Sequence, residues 1–179
     1  MSQVTKKQIV EGILNGKIFI YPTDTLYGLG CNAMNLASVD KIRQIKGRDS
    51  KPFSVIAPNL DWIYDNFIVD FDIKEYLPGP YTILLKKKFP EFLSHVSKSD
   101  LVGIRIPQHK FTQLVQRASV PFITTSVNES GSSPARFVAD ISQKIKSQVD
   151  IIIENLGKYK DSMSLKASTL ILNNQEIKR

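Results

Sequence analysis

Lys46-Gly47-Arg48-Asp49-Ser50-Lys51-Pro52 puts three cations within six residues at the point where a helical pattern gives way to an apolar run. Upstream, Val39, Ile42 and Ile45 recur at helical spacing behind a capping Asn35, and downstream Phe53-Ser54-Val55-Ile56-Ala57 reads as a buried strand. Helix passing directly into strand is the unit of an α/β fold. The turn between them has its own logic. A helix C-terminus attracts cations, Gly47 frees the backbone, and Pro52 stops further helix. The guanidinium fork of Arg48 and the ammonium groups of Lys46 and Lys51 would converge on a polyanion such as phosphate. A solvated basic turn would look the same, and this stretch alone leaves both readings open.

The rest of the composition narrows the choice. With 179 residues, 42% of them hydrophobic and 23% charged, the chain suits one soluble domain over 1–179, burying about 70% of its unfolded surface. It has no run near the roughly 20 apolar residues of a membrane span. Its first residues lack a secretory signal, so a cytoplasmic protein is expected. One cysteine, Cys31, excludes an intrachain disulfide and a Cys-rich zinc cluster. With His95 and His109 far off in sequence, a buried thiol is a better reading of it than a nucleophile. The formal charge of +7 favours phosphate-bearing partners, whether nucleotide or nucleic acid. Lys86-Lys87-Lys88, Lys144 with Lys146, and Lys158 with Lys160 read as solvated faces, the first protecting a strand edge.

Along the chain, Thr5 caps a helix carrying Ile9, Val10, Ile13 and Leu14, and Gly16 ends it. Ile18-Phe19-Ile20-Tyr21 reads as a buried strand, and Pro22 to Gly30 as an irregular loop rich in hydroxyls and glycine. Trp62, Tyr64 and Phe67 belong to core and rim in a short helical region. A strand at 81–85 is expected to run out into water at Lys86-Lys87-Lys88. Leu101 to Pro107 is an apolar strand with Arg105 in its middle. Such an arginine pairs with an internal carboxylate or faces a cavity that takes an anion, and the strand alone tilts toward the ion pair. A helix over 109–118 and a strand over 120–124 lead into a third polar loop, Thr125 to Pro134, whose hydroxyls and Asn128 amide suit phosphate or ribose oxygens. A helix with Val138, Ile141 and Ile145, a strand at 151–153, a stretch at 157–164 and a strand at 168–172 follow. The elements predict a mixed, twisted sheet with helices outside.

Four blocks in this order resemble the YrdC-like family: Pro22-Thr23-Asp24-Thr25-Leu26-Tyr27-Gly28-Leu29; Lys46-Gly47-Arg48 with Lys51-Pro52; Pro78-Gly79-Pro80-Tyr81-Thr82 with Val102-Gly103-Ile104-Arg105-Ile106-Pro107; and Ser126-Val127-Asn128-Glu129-Ser130-Gly131. Ser168-Thr169 is similar to the family's late Ser-Thr strand. The resemblance implies an α/β fold around a large basic cavity. It also implies synthesis of threonylcarbamoyl-AMP and pyrophosphate from L-threonine, bicarbonate and ATP, for threonylcarbamoyladenosine modification of tRNA. Carried over by position, Lys46, Arg48, Lys51, Ser126, Asn128 and Arg179 would bind ATP, with Lys46 and Arg48 catalytic. Thr25, Arg105 and Ser168 would bind threonine. Magnesium would arrive with the nucleotide, with Asp24 the nearest carboxylate, and no resident metal is expected. The resemblance further implies a transferase complex that accepts the product, and a loop at 157–165 or a partner protein that excludes water.

As surface side chains, Lys46 and Arg48 would be replaceable by alanine with little loss of stability. The competing reading is a non-catalytic module binding tRNA or other RNA, translation- or ribosome-associated, on the strength of the net charge; no RNA-binding signature supports it. A third is a relative that moves carbamoyl groups to another acceptor.

Overall fold

The computed structural model describes residues 4–47, 50–128, 133, 135, 137–154 and 164–178. In chain order the elements are α1 (Lys6–Leu14), β1 (Phe19–Tyr21), β2 (Gly28–Gly30), α2 (Leu36–Lys46), β3 (Ser54–Ile56), α3 (Leu60–Asn66), β4 (Phe67–Ile68), β5 (Tyr81–Lys87), β6 (Leu101–Arg105), α4 (Lys110–Ala118), β7 (Phe122–Ser126), α5 (Gln143–Lys146), β8 (Ile151–Ile152), β9 (Thr169–Leu172) and β10 (Gln175–Ile177). The strands form one sheet in the order β10-β9-β5-β6-β3-β7-β2-β1-β8, with β4 beside β5. β3 runs parallel to β6 and antiparallel to β7, so the sheet is mixed, as the sequence predicts.

Local signals account for the helices that flank it. Thr5 caps α1 reciprocally with Gln8. Asn35 caps α2 by accepting from Ser38 N–H, and Gly47 ends that helix in the left-handed conformation at φ 56°. Residue alternation then splits the core in two. Ile20, Val55, Ile104 and Ile123 pack in one apolar cluster with Val39, Ile42 and Ile45 of α2 and Ile63 of α3. Their neighbours Phe19, Tyr21, Ile56 and Phe122 point the other way, into a second cluster with Ile9 and Ile13 of α1 and Phe111, Leu114 and Val115 of α4. Rings of Tyr21 and Phe111 stack there with centroids 4.0 Å apart.

The face that carries the second cluster changes character along its strands. On β7, Phe122 is followed at every second position by Thr124 and Ser126, and on β3 Ile56 is preceded by Ser54. In register, Ser54 lies opposite Thr124 on one side and Gly103 on the other, and Gly28 lies opposite Ser126. Thr82 precedes the Ile83–Ile104 pair and so faces Arg105 across β5 and β6. Thr82, Gly103, Arg105, Ser54, Thr124, Ser126 and Gly28 therefore share one polar face across five consecutive strands.

Several expectations change. The Pro22–Gly30 loop contains β2, because Gly28–Gly30 pairs with β1 on one side and β7 on the other. Thr125 and Ser126 are strand rather than loop. The helix expected from Val138 is a 3₁₀ turn over Val138–Asp140 followed by the short α5, capped by Ser142. Lys87 does not emerge into water: it is 5% exposed and its Nζ donates to Pro90 O at 2.8 Å and Ser97 O at 3.3 Å. Among the described residues no helix is long and apolar enough to cross a membrane. Trp62, Phe67 and Phe92 form a ring cluster, in keeping with a packing role.

Candidate functional site

The polar face of the sheet floors a cavity of about 230 Å³, lined by residues that include Thr25, Ser54, Thr82, Arg105, Ser126 and Ser168. Arg105 ends β6 and is 7% exposed, so its charge needs a partner. Asp24 supplies it: Nη2 donates to Oδ1 at 3.0 Å. The other carboxylate oxygen of Asp24 accepts from Gln108 N–H at 2.9 Å. The same Nη2 also donates to Thr25 Oγ1 at 3.2 Å. Because the Thr23 hydroxyl donates to Leu26 O at 2.8 Å, the Thr25 hydroxyl donates in turn to Thr23 Oγ1, 3.0 Å away. Arginine, two threonines and a main-chain carbonyl thus form one directed chain along the cavity wall. Arg105 thus makes the ion pair toward which its strand tilts, and it also lines the cavity.

Ser168, 5% exposed, meets Thr82 with their hydroxyl oxygens 2.7 Å apart. Just before it, the main chain is tied across the loop after β1 by Ser164 N–H to Asp24 O and Leu165 N–H to Thr25 O, at 2.9 and 3.0 Å. Tyr21 lies under this region; burial pushes its phenol pKa up strongly, against the smaller lowering by the Thr124 hydrogen bond and Arg105.

On the other side, Lys46 closes α2 and is 1% exposed, which corrects its reading as a surface cation. Its Nζ donates to Ser126 O at 2.6 Å and Asn128 Oδ1 at 2.7 Å. Asn128 Oδ1 also accepts from Ser126 Oγ at 2.6 Å. The structure therefore gathers Thr25, Arg105, Ser126 and Ser168 on the cavity wall, with Lys46 and Asn128 bonded to Ser126. Lys51 is exposed and outside the lining, although the adjacent Pro52 belongs to it. Arg48, Arg179, Glu129 to Ser132 and 155–163 lie outside the described residues.

Sequence reading missed three parts of this site. Ser54 and Thr124 were absorbed into apolar strands, though a hydroxyl at alternate positions beside a buried run was a usable signal. No local signal chooses Asp24 as the partner of Arg105. Cys31 is buried as expected, and burial pushes its thiol pKa well up, which keeps it unreactive. Among the described residues no cluster of three His, Cys, Asp or Glu could hold a metal.

Fold and cavity together define an α/β protein with a polar, arginine-bearing cavity on one face of a mixed sheet. Residues 11–171 match the family Sua5/YciO/YrdC, described as telomere recombination, and the chain belongs to it. The chain is similar to a putative threonylcarbamoyl-AMP synthase of Methanocaldococcus jannaschii, 39% identical over 96% of this chain and 83% of that protein. It is also similar to the threonylcarbamoyl-AMP synthase of Pseudoalteromonas atlantica, 33% identical over 80% of this chain and 82% of that one. Among solved structures, P. abyssi Sua5 complexed with L-threonine superposes with a TM-score of 0.79 at 23% identity, covering 97% of this chain and 53% of that protein. The chain spans about half the length of that Sua5, and the likeness there is one of fold.

Proposed function

We propose that this protein is a threonylcarbamoyl-AMP synthase that joins L-threonine, bicarbonate and ATP and releases pyrophosphate. The observation that carries the reading is the convergence of Arg105, Thr25 and Ser168 on the wall that also holds Ser126, whose carbonyl is bonded by Lys46. The names of relatives that align over most of the chain support it.

The chemistry asks little of the protein in covalent terms. Threonine's amine takes up the bicarbonate carbon to give a carbamate, whose oxygen is already a nucleophile. That oxygen attacks the α-phosphorus, an O–P bond forms, and the bond to the β-phosphate breaks as pyrophosphate leaves. Positioning and charge neutralisation suffice, in line with a cavity holding no nucleophile–base pair among its described residues. Arg105 would pair the carboxylate of threonine or of the carbamate, while Thr25 and Ser168 would bond threonine through their hydroxyls. Lys46, held between Ser126 and Asn128, would neutralise the phosphates with Arg48, Lys51 and Arg179.

Magnesium would be held by phosphate oxygens and water. Both oxygens of Asp24 are already engaged, which fits an ion carried by the nucleotide rather than caged by side chains. The product would pass to a tRNA-modifying transferase complex in the cytoplasm.

An RNA-binding module is not favoured, because Lys46 and Arg105 turn inward instead of forming a basic surface. The deciding experiment supplies the purified protein with ATP, threonine and bicarbonate and measures pyrophosphate. Release is expected to require all three. Release that persists without threonine would remove the proposal, and a panel of amino acids with carbamoyl phosphate would reveal a different acceptor.

A further inference from the structure

Gly103 lies on the cavity face of β6, two positions before Arg105 and opposite Ser54. A Cβ at Gly103 would stand 2.7 Å from Ser54 Oγ and 2.9 Å from Thr82 Cγ2, closer than real contacts allow. Glycine thus lets Ser54 and Thr82 lean toward each other across the strand. The result is a flat floor with the Ser54 hydroxyl and the Thr82 methyl on either side of Gly103, and with Arg105 opposite Thr82. The Thr82 hydroxyl is shared with Ser168. The Ser54 hydroxyl lines the cavity and makes no hydrogen bond among the described residues. Neither Ser54 nor Gly103 has a role in the reading above.

We propose that this floor seats the bicarbonate carbon, with the Ser54 and Thr82 hydroxyls bonding its oxygens and Arg105 offsetting its charge. The inference rests on the synthase reading and names the place of its smallest substrate. A planar one-carbon oxyanion can lie flat against the sheet with its oxygens reaching hydroxyls on both sides. Threonine, tied through Ser168 on the neighbouring segment, would bring its amine over the same carbon. The N–C bond then forms, a C–O bond breaks, and the departing hydroxyl leaves as water with a proton from the amine. The carbamate keeps the single negative charge that bicarbonate brought.

The test is pyrophosphate release by the full chain in degassed buffer, titrated separately with bicarbonate, threonine and ATP. Ser54→Ala should raise the bicarbonate KM about five- to tenfold, the worth of one hydrogen bond, and leave the other two within about twofold. Gly103→Ala, which must push Ser54 and Thr82 apart, should raise it further. Should that variant fail to fold, Ser54→Ala carries the test alone. A bicarbonate KM unmoved in Ser54→Ala, or all three constants moving together, would overturn the seat while leaving the synthase reading intact. No threonine-dependent release from the unaltered protein would overturn both.

Discussion

The Lys46 ammonium donates to the main-chain carbonyl of Ser126 at 2.6 Å, although 80 positions separate the two residues. This bond ties the last residue of α2 to the last residue of β7 and gives Lys46 a structural role. Lys46→Ala should therefore cost about 1–3 kcal/mol, because it strands buried acceptors. Lys46→Met, which keeps the aliphatic stem, should recover part of that melting temperature without restoring pyrophosphate release. A stability unchanged in Lys46→Ala would contradict the buried geometry.

Asp24 and Arg105 form an ion pair with side chains only 11% and 9% exposed. Breaking such a pair from one side leaves an uncompensated charge, so Asp24→Asn should cost about 3–5 kcal/mol in urea unfolding. Replacing both, as Asp24→Asn with Arg105→Met, should cost less than the sum of the single changes. Strict additivity would show that the two do not interact.

Lys86 and Lys87 are adjacent in sequence and opposite in environment. Lys87→Ala should destabilise by about 1–3 kcal/mol, since it deprives the carbonyls of Pro90 and Ser97 of a donor. Lys86→Ala, at an exposed position, should stay within about 0.5 kcal/mol. Equal effects would place Lys87 in solvent.

The raised pKa of Cys31 has an alkaline consequence. Its ordinary value is 9.0 and burial lifts it in the folded state, so above about pH 9 the unfolded chain releases a proton that the folded chain keeps. Stability is unaffected below that value and falls as pH rises through it. Cys31→Ala should flatten the decline between about pH 9 and 10. The thiol of the folded protein should also resist disulfide reagents at neutral pH, and rapid stoichiometric labelling would refute its burial.

Much of the architecture was legible in the chain. Thr5 and Asn35 announced their helices because capping is local chemistry, and Ile18 to Tyr21 and Leu101 to Arg105 announced strands because buried runs have a plain apolar signature. β2 was invisible, since Gly28-Leu29-Gly30 has no strand propensity of its own and is held by partners on both edges. Lys87 was misread for a related reason: three consecutive lysines look like a solvated end until the chain after Pro90 folds back over the middle one.

By itself the amino-acid order determined the α/β class, the family resemblance and four of the side chains on the cavity wall, Thr25, Arg105, Ser126 and Ser168. Those properties rest on periodicity, caps and motif spacing, which act over a few residues. Only the tertiary structure decided that Arg105 shares Asp24 with the Gln108 amide, that Lys46 is buried against Ser126, and that Ser54 and Thr82 both crowd the space beside Gly103. Strand order and register set these contacts, and both follow from burying two apolar clusters on opposite faces of one sheet.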